Sequence, residues 1–162
     1  MDKQYYPVEI EEKWSKIWAE RVISNKDSKD SFSQVIPPPN VTGTLHMGHS
    51  FQYAIMDFYT RYHHMAGKDA HWQVGADHAG IATQMVVENN LAKKDISRNE
   101  LGREKFLDEV WSWKDYSEEK ITSQIKRLGC SVDWNKYRFT LDDGCNEAGI
   151  KASVELHSKD KI

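Results

Sequence analysis

Three consecutive prolines, at positions 37, 38 and 39, constrain the fold of this chain more than any other feature. They fix φ at three successive positions and remove three backbone N–H donors, which leaves carbonyl acceptors and a stiff wall of apolar rings. The short, β-leaning run over 32–36 is therefore predicted to be a strand that ends at Ile36. Asn40 follows the prolines directly and adds a side-chain acceptor at a fixed place.

Hydrophobic spacing around the prolines predicts an α/β fold. The predicted elements are a helix over 7–22, strands over 32–36, 70–74 and 137–141, helices over 45–65 and 81–91, a long helical stretch over 97–128 interrupted near 113–116, and a last helix to about 157. Thr44 is the expected N-cap of the second helix, Ser97 and Glu100 form a capping box, and Asp142 caps the last helix. Alternating strands and helices indicate a parallel, Rossmann-like nucleotide-binding sheet with a helical insertion.

Apolar residues at helical spacing are expected to pack into a core. They are Ile10, Trp14, Ile17 and Trp18 in the first helix and Phe51, Ile55, Phe58 and Tyr62 in the second. The two cysteines, Cys130 and Cys145, match neither a disulfide framework nor a zinc ribbon, and we expect buried, unreactive thiols.

Composition excludes several function classes. A chain of 162 residues with 39% hydrophobic and 29% charged residues is typical of one globular unit. The net charge of −3 and the lack of long Lys/Arg runs do not indicate sequence-independent binding to the phosphate backbone of nucleic acid. Because no run of about 18 apolar residues and no secretion signal occurs, the expectation is a cytoplasmic protein without a membrane span.

Two loops, 37–44 and 75–80, follow predicted strands at their carboxyl ends, where open parallel sheets bind ligands. The first loop leads into a helix that places His46 and His49 on one face of its first turn, beside unpaired backbone N–H groups. Such an arrangement suits phosphate, and Gly48 leaves room for a flat ring such as a nucleobase. The alternatives for this pair are partly buried, surface-exposed or metal-ligating histidines.

Asp77, in the second loop, is a carboxylate at a strand end that can accept from an ammonium group. The alternative is that Asp77 only caps the following helix. Together with the carbonyls of the proline turn and Asn40, it would hold an α-amino acid beside a nucleoside triphosphate bound by the histidines. This pairing indicates activation of a carboxylate.

Residues 37–49 (PPPNVTGTLHMGH) and 72–84 (WQVGADHAGIATQ) resemble the class I aminoacyl-tRNA synthetases, and most of all those that activate valine. The likeness continues through 102–106, 111–114 and 127–134, so it covers nearly the whole chain. It implies an N-terminal helix and connector over 1–31 and the first half of the catalytic domain over 32–162. The KMSKS signature, the editing domain and the anticodon-binding helices of that family are absent, so an N-terminal fragment is expected.

The resemblance also implies roles for individual residues. It implies that ATP binds to Thr44, His46, Gly48 and His49, of which His46 and His49 are catalytic. It implies that valine binds to Pro37, Pro38, Asn40 and Asp77. The implied reaction is attack of the valine carboxylate on the ATP α-phosphorus, followed by transfer to tRNA(Val). Mg²⁺ is expected to arrive with ATP, no metal is expected to be bound by the protein in this segment, and a monomer is expected.

Other functions stay open from the residues alone. The chain could be a non-catalytic module that binds ATP or an amino acid, or belong to a class I synthetase for another branched-chain amino acid. A different HxGH nucleotidyltransferase, such as a cytidylyltransferase, explains His46 to His49 but neither the proline turn nor loop 75–80. A zinc site built from His63, His64 and His71, with His46 and His49, is disfavoured. The adjacent His63 and His64 point to different faces of a helix, and no Cys or carboxylate completes a ligand set.

Overall fold

Two short pairs of parallel strands form the frame of the computed structural model, which describes residues 4–19, 25 and 27–162. β1 (Ser31–Val35) lies parallel to β2 (Asp69–Gln73), and β3 (Gly75–Ala76) lies parallel to β4 (Arg138–Phe139). The predicted parallel pairing is therefore observed, and all three predicted strands are present with shifted ends. The strands form two separate pairs, however, and not one continuous sheet.

Six α-helices and a short 3-10 helix (Trp134–Lys136) accompany the strands in the described part of the chain. The α-helices are α1 (Pro7–Ala19), α2 (Met47–Met65), α3 (Ile81–Ala92), α4 (Arg98–Leu101), α5 (Arg103–Arg127) and α6 (Asp143–Ser158). Asp142 caps α6 as predicted, because its Oδ1 accepts the Cys145 N–H at 2.8 Å. The predicted end of the first helix at residue 22 lies outside the described residues. Among the residues that the structure describes, no helix is long and apolar enough to cross a bilayer.

The break between α4 and α5 lies at Gly102, where φ is +80°. The capping box is present as predicted, with the Ser97 N–H donating to Glu100 Oε2 at 3.0 Å. It opens only the four-residue α4, and α5 then runs without interruption through 113–116. The predicted break there is wrong because that stretch contains no glycine or proline, whereas left-handed backbone at Gly102 does end a helix.

The main core lies between β2, α2 and α5. Tyr53, Trp72, Val74, Ile121 and Ile125 are each at most 1% exposed. A second cluster, in which α3 packs on α5, consists of Val87, Leu91 and Phe106. Removal of this apolar surface from water is the principal stabilising contribution to the fold.

The two cysteines differ in burial. Cys130 belongs to the main core, so the prediction that this thiol is buried is confirmed, and burial raises its pKa to about 12. Cys145 is only half-buried, with its Sγ 3.6 Å from the Arg138 guanidinium, so the same prediction is wrong for Cys145. The difference arises because Cys145 lies on the first turn of α6, which has no buried residue among its described positions.

Two predicted core stripes are instead exposed. Trp14 and Trp18 of α1 are each 43% exposed, and Phe51 and Phe58 of α2 are 71% and 65% exposed. The helices themselves are as predicted, but α2 contacts β1 and β2 through its other face. Periodicity identifies which face of a helix is apolar, whereas burial also requires a neighbour to cover that face.

A glycine at the junction of the two strand pairs provides a stability test. A Cβ atom at Gly75 would overlap the backbone carbonyl oxygen of Arg138 on the paired strand. We expect Gly75→Ala to destabilise the protein by about 1–3 kcal/mol, measured by urea or thermal unfolding. Gly149→Ala is the matched control, because its Cβ would meet nothing on an exposed turn of α6 and should stabilise by about 0.5–1 kcal/mol. Equal effects of the two changes would contradict the close approach at Gly75.

Candidate active site

A cavity of about 470 Å³ lies between the proline turn and the start of α2. Its walls are formed by residues 37–40 and 42–46, together with His49, Gln52 and Ile121. The structure therefore places six of the predicted site residues around one cavity. They are Pro37, Pro38, Asn40, Thr44, His46 and His49. The expected proximity of the first loop and the histidine pair is observed.

His46 and His49 cap the start of α2 reciprocally. The Gly48 N–H donates to His46 Nδ1 at 3.1 Å, and the His46 N–H donates to His49 Nδ1 at 3.2 Å. His46 is thus the N-cap, and the prediction of Thr44 at that position is wrong. The reason is that the imidazole reaches the free N–H groups of the first turn itself.

These two bonds determine which nitrogen of each ring carries a proton. Because each Nδ1 accepts a hydrogen bond, each neutral ring holds its proton on Nε2 and has one donor left. The ring centroids are 3.9 Å apart. Burial, and secondarily the neighbouring His46, lower the pKa of His49, which favours the neutral ring at pH 7. The pair is therefore suited to donate hydrogen bonds to an anion.

Gly48 makes room for a ring of the protein itself. A Cβ atom at this position would lie 2.9 Å from His46 Cε1, closer than van der Waals contact allows. The sequence predicts that the missing side chain at Gly48 leaves room for a flat ligand ring. In the structure the ring beside Gly48 is the imidazole of His46. Any larger residue at position 48 would displace the N-cap of α2.

Asp77 is connected to the proline turn through the backbone. The Asp77 N–H donates to the Pro39 carbonyl at 2.9 Å, and the Val41 N–H donates to the Asp77 carbonyl at 2.9 Å. Asn40 and Asp77 are the bridged pair, so their side chains lie on the same side of this parallel ladder. The two loops at the strand ends are therefore held together, as predicted, although Asp77 does not line the 470 Å³ cavity.

The carboxylate of Asp77 is oriented by its own loop and by Thr140. Oδ1 accepts the Ala79 N–H at 3.0 Å and the Thr140 hydroxyl at 3.1 Å, and the described residues provide Oδ2 with no hydrogen bond. The N-cap of α3 is Gly80, so the alternative that Asp77 caps this helix is wrong. One oxygen of the carboxylate is fixed, and the other is available to a ligand.

Thr140 is a site residue that the sequence does not reveal. Its Oγ1 accepts the His78 N–H at 2.9 Å and lies 2.6 Å from His78 Nδ1. With Nδ1 as the donor, the hydroxyl accepts twice and gives its one proton to Asp77, which satisfies all its bonding capacity. No spacing rule links Thr140 to a loop 63 residues earlier.

The described residues contain no group of three or more His, Cys, Asp or Glu side chains that could hold a metal ion. His63 stacks on Phe32 with ring centroids 3.9 Å apart. The adjacent His64 is partly desolvated, which lowers its pKa. The Nε2–H groups of His46 and His49 are hydrogen-bond donors, and donors at the start of a helix suit the oxygens of a phosphate.

Two imidazole donors at the start of a helix, placed beside a strand-end loop, are an arrangement that suits a phosphate-containing ligand. Residues 9–162 match the model of the tRNA synthetases class I (I, L, M and V), and the chain belongs to this family.

Its relatives include several valine–tRNA ligases. It is 57% identical to the enzyme of Acinetobacter baylyi over 94% of this chain and 16% of that one. It is 51% identical to that of Francisella tularensis subsp. tularensis, over 97% and 17%. It is 50% identical to that of Legionella pneumophila strain Lens, over 100% and 18%. The chain thus spans less than a fifth of the length of these relatives.

A solved structure shares the fold. The chain superimposes with a TM-score of 0.75 and 19% identity on LeuRS of Agrobacterium radiobacter K84, determined as a ternary complex with tRNA and LeuAMS. The match covers 97% of this chain and 19% of that one. This likeness supports the class I synthetase fold of the described residues.

Proposed function

We propose that this chain provides the amino-acid- and ATP-binding part of a valine–tRNA ligase. The observation that carries the proposal is the cavity shared by the proline turn and the capped histidine pair. The 50–57% identity to valine–tRNA ligases supports valine over other amino acids. The reaction would form valyl-adenylate and then transfer the valyl group to tRNA(Val).

ATP would bind at the start of α2. The two Nε2–H donors of His46 and His49 and the positive end of the helix would contact phosphate oxygens, beside Gly48 and Thr44. As negative charge builds up on the phosphates during adenylation, these preorganised donors would stabilise it. Mg²⁺ would enter as the counter-ion of ATP.

Valine would bind against the proline turn. Its ammonium group would be held by the Pro38 carbonyl, the Asn40 side chain and the free oxygen of Asp77, while Pro37 would line the side-chain pocket. One carboxylate oxygen would attack the α-phosphorus, the bond to the β-phosphate oxygen would break, and pyrophosphate would leave. The protein would contribute positioning and charge stabilisation without a covalent intermediate.

The wider architecture forms part of the same proposal. Residues 1–31 would be an N-terminal helix and connector, and 32–162 would be the first half of a Rossmann-like catalytic domain. The parallel strand pairs and the ligand loops at their carboxyl ends support this division. The enzyme would act as a monomer in the cytoplasm.

The test is amino-acid-dependent exchange of pyrophosphate into ATP by the full-length protein that carries these residues. Valine is expected to support exchange far better than isoleucine, leucine or threonine. Preference for isoleucine or leucine would replace valine by another branched-chain amino acid. Binding of ATP without any exchange would support a non-catalytic module and overturn the proposed ligase activity.

The position of the Thr140 hydroxyl leads to a separate prediction. Thr140→Val removes a hydrogen bond to a charged group, so the KM for valine is expected to rise about tenfold with little change in the KM for ATP. Thr140→Ser keeps the hydroxyl and should behave like the wild type in the same exchange assay. An unchanged KM for valine in Thr140→Val would show that Asp77 does not depend on this bond.

A further inference from the structure

One face of α5 contacts the segment 41–45, which joins the proline turn to the histidine pair. Trp113 Nε1–H donates to the Val41 carbonyl at 2.9 Å, and the Ser117 hydroxyl donates to the Gly43 carbonyl at 3.0 Å. The Leu45 N–H donates to Gln124 Oε1 at 2.9 Å. We call these three side chains the α5 contact face.

The spacing of the contact face follows helix geometry. Positions 113, 117 and 124 are separated by four and seven residues, so they lie on one side of α5. Ile121, which lies on the same side, is 1% exposed and lines the cavity. Ser117 is also 1% exposed, so its bond is shielded from competing water.

The segment depends on this face for its hydrogen bonds. The ladder with Asp77 ends at the Val41 N–H, and the intrahelical bonds of α2 begin after Leu45. Between these points, apart from a turn at 41–42, the hydrogen-bond partners that the described residues provide to the backbone are three side chains of α5. A segment outside any helix or strand is otherwise free to adopt several conformations.

We propose that Trp113, Ser117 and Gln124 are positioning residues that set the separation between the proline turn and the His46–His49 pair. They act through the backbone of 41–45 and touch no substrate. The inference rests on the proposed function, since that separation would align the valine carboxylate with the ATP α-phosphorus. Alignment of reacting groups is sensitive to displacements of about 1 Å, which can change rates by about 10²-fold.

The experiment compares variants on the contact face with matched changes beside it, in the full-length protein. Ser117→Ala with Gln124→Met removes two contacts with little change in volume. Ser123→Ala is the control on the same helix, because its hydroxyl donates to the Lys120 carbonyl within α5. Trp113→Phe is matched by Trp111→Phe, since Trp111 is 47% exposed and makes no bond to this segment in the described structure.

We expect the Ser117→Ala/Gln124→Met variant to lose at least about tenfold in kcat for exchange, with the KM for valine within about threefold of wild type. Trp113→Phe should show a smaller loss of the same kind, and both controls should match the wild type. A double variant as active as Ser123→Ala would overturn the proposal. So would a rise in KM at constant kcat, or recovery of kcat at a temperature where the variant is fully folded.

A second readout keeps this inference separate from the proposed function. Hydrogen exchange of a peptide over 41–49 should be faster in the double variant than in Ser123→Ala, because the Leu45 amide loses its acceptor. Unchanged exchange of this peptide overturns the positioning role, whatever the enzyme activity. Faster hydrogen exchange in the double variant, together with no adenylation by the wild-type protein, would support the contact face and overturn only the ligase proposal.

Discussion

His49→Asn is expected to slow valine-dependent ATP–pyrophosphate exchange by about 10²- to 10³-fold, whereas His49→Gln should stay within about tenfold of wild type. The reason lies in the two nitrogens of the ring. Nδ1 of His49 accepts the His46 N–H at 3.2 Å, and Nε2 is left as the donor. An asparagine amide lies near the position of Nδ1, and the longer glutamine amide reaches that of Nε2.

The pair of substitutions therefore separates the cap from the proposed chemistry. Asparagine keeps an acceptor for the N-cap and loses the phosphate donor, and glutamine does the reverse. His49→Ala loses both and should mainly lower kcat, while His157→Ala, on an exposed turn of α6, serves as the control. Equal activity of the asparagine and glutamine variants would refute Nε2 as the group that stabilises the phosphates.

Asp77→Ala is expected to raise the KM for valine by about 10²-fold while the KM for ATP changes by less than about threefold. The carboxylate has Oδ1 held at 3.0 Å by the Ala79 N–H and at 3.1 Å by Thr140, so its orientation does not depend on a ligand. Removal of the carboxylate would leave the ammonium group without its charged partner. The phosphate donors are on a different segment and should be unaffected.

Asp108→Ala is the matched control, since Asp108 is an exposed acidic residue on α5. Asp77→Asn keeps the shape and one acceptor, so its effect measures the charge alone and should be intermediate. Separate titrations of valine and ATP in the exchange assay give both KM values. Equal losses for the two substrates would argue against assigning Asp77 to the amino acid.

Most helices and their caps could be predicted because they depend on local sequence. The Ser97–Glu100 box and the Asp142 cap are confirmed, as side-chain acceptors three residues from an amide act within one turn. The exposure of Trp14 and Trp18 could not be predicted in the same way. Amphipathic spacing reports an apolar face, whereas burial depends on which element covers it.

The same distinction between local and long-range contacts applies to the candidate site. The pairing of Asn40 with Asp77, and the proximity of the proline turn to the histidine pair, follow from the rule that ligands bind at the carboxyl ends of parallel strands. The contacts of Ser117 and Gln124 could not be predicted, because they join backbone atoms 74 and 79 residues away in the chain. A side chain that forms a hydrogen bond with a distant backbone group places no constraint on the residue type at that backbone position, so the sequence carries no sign of the contact.

The bridge between Asn40 and Asp77 has a consequence for the length of the two loops. Side chains alternate between the two sides of a strand, so a shift of one residue turns each side chain to the opposite side. An insertion of one residue between the prolines and Val41 would thus turn Asn40 away from Asp77 even if every residue type were kept. At this ladder the number of residues is as strictly determined as their chemistry, and homologous chains should differ there by substitution and not by insertion or deletion.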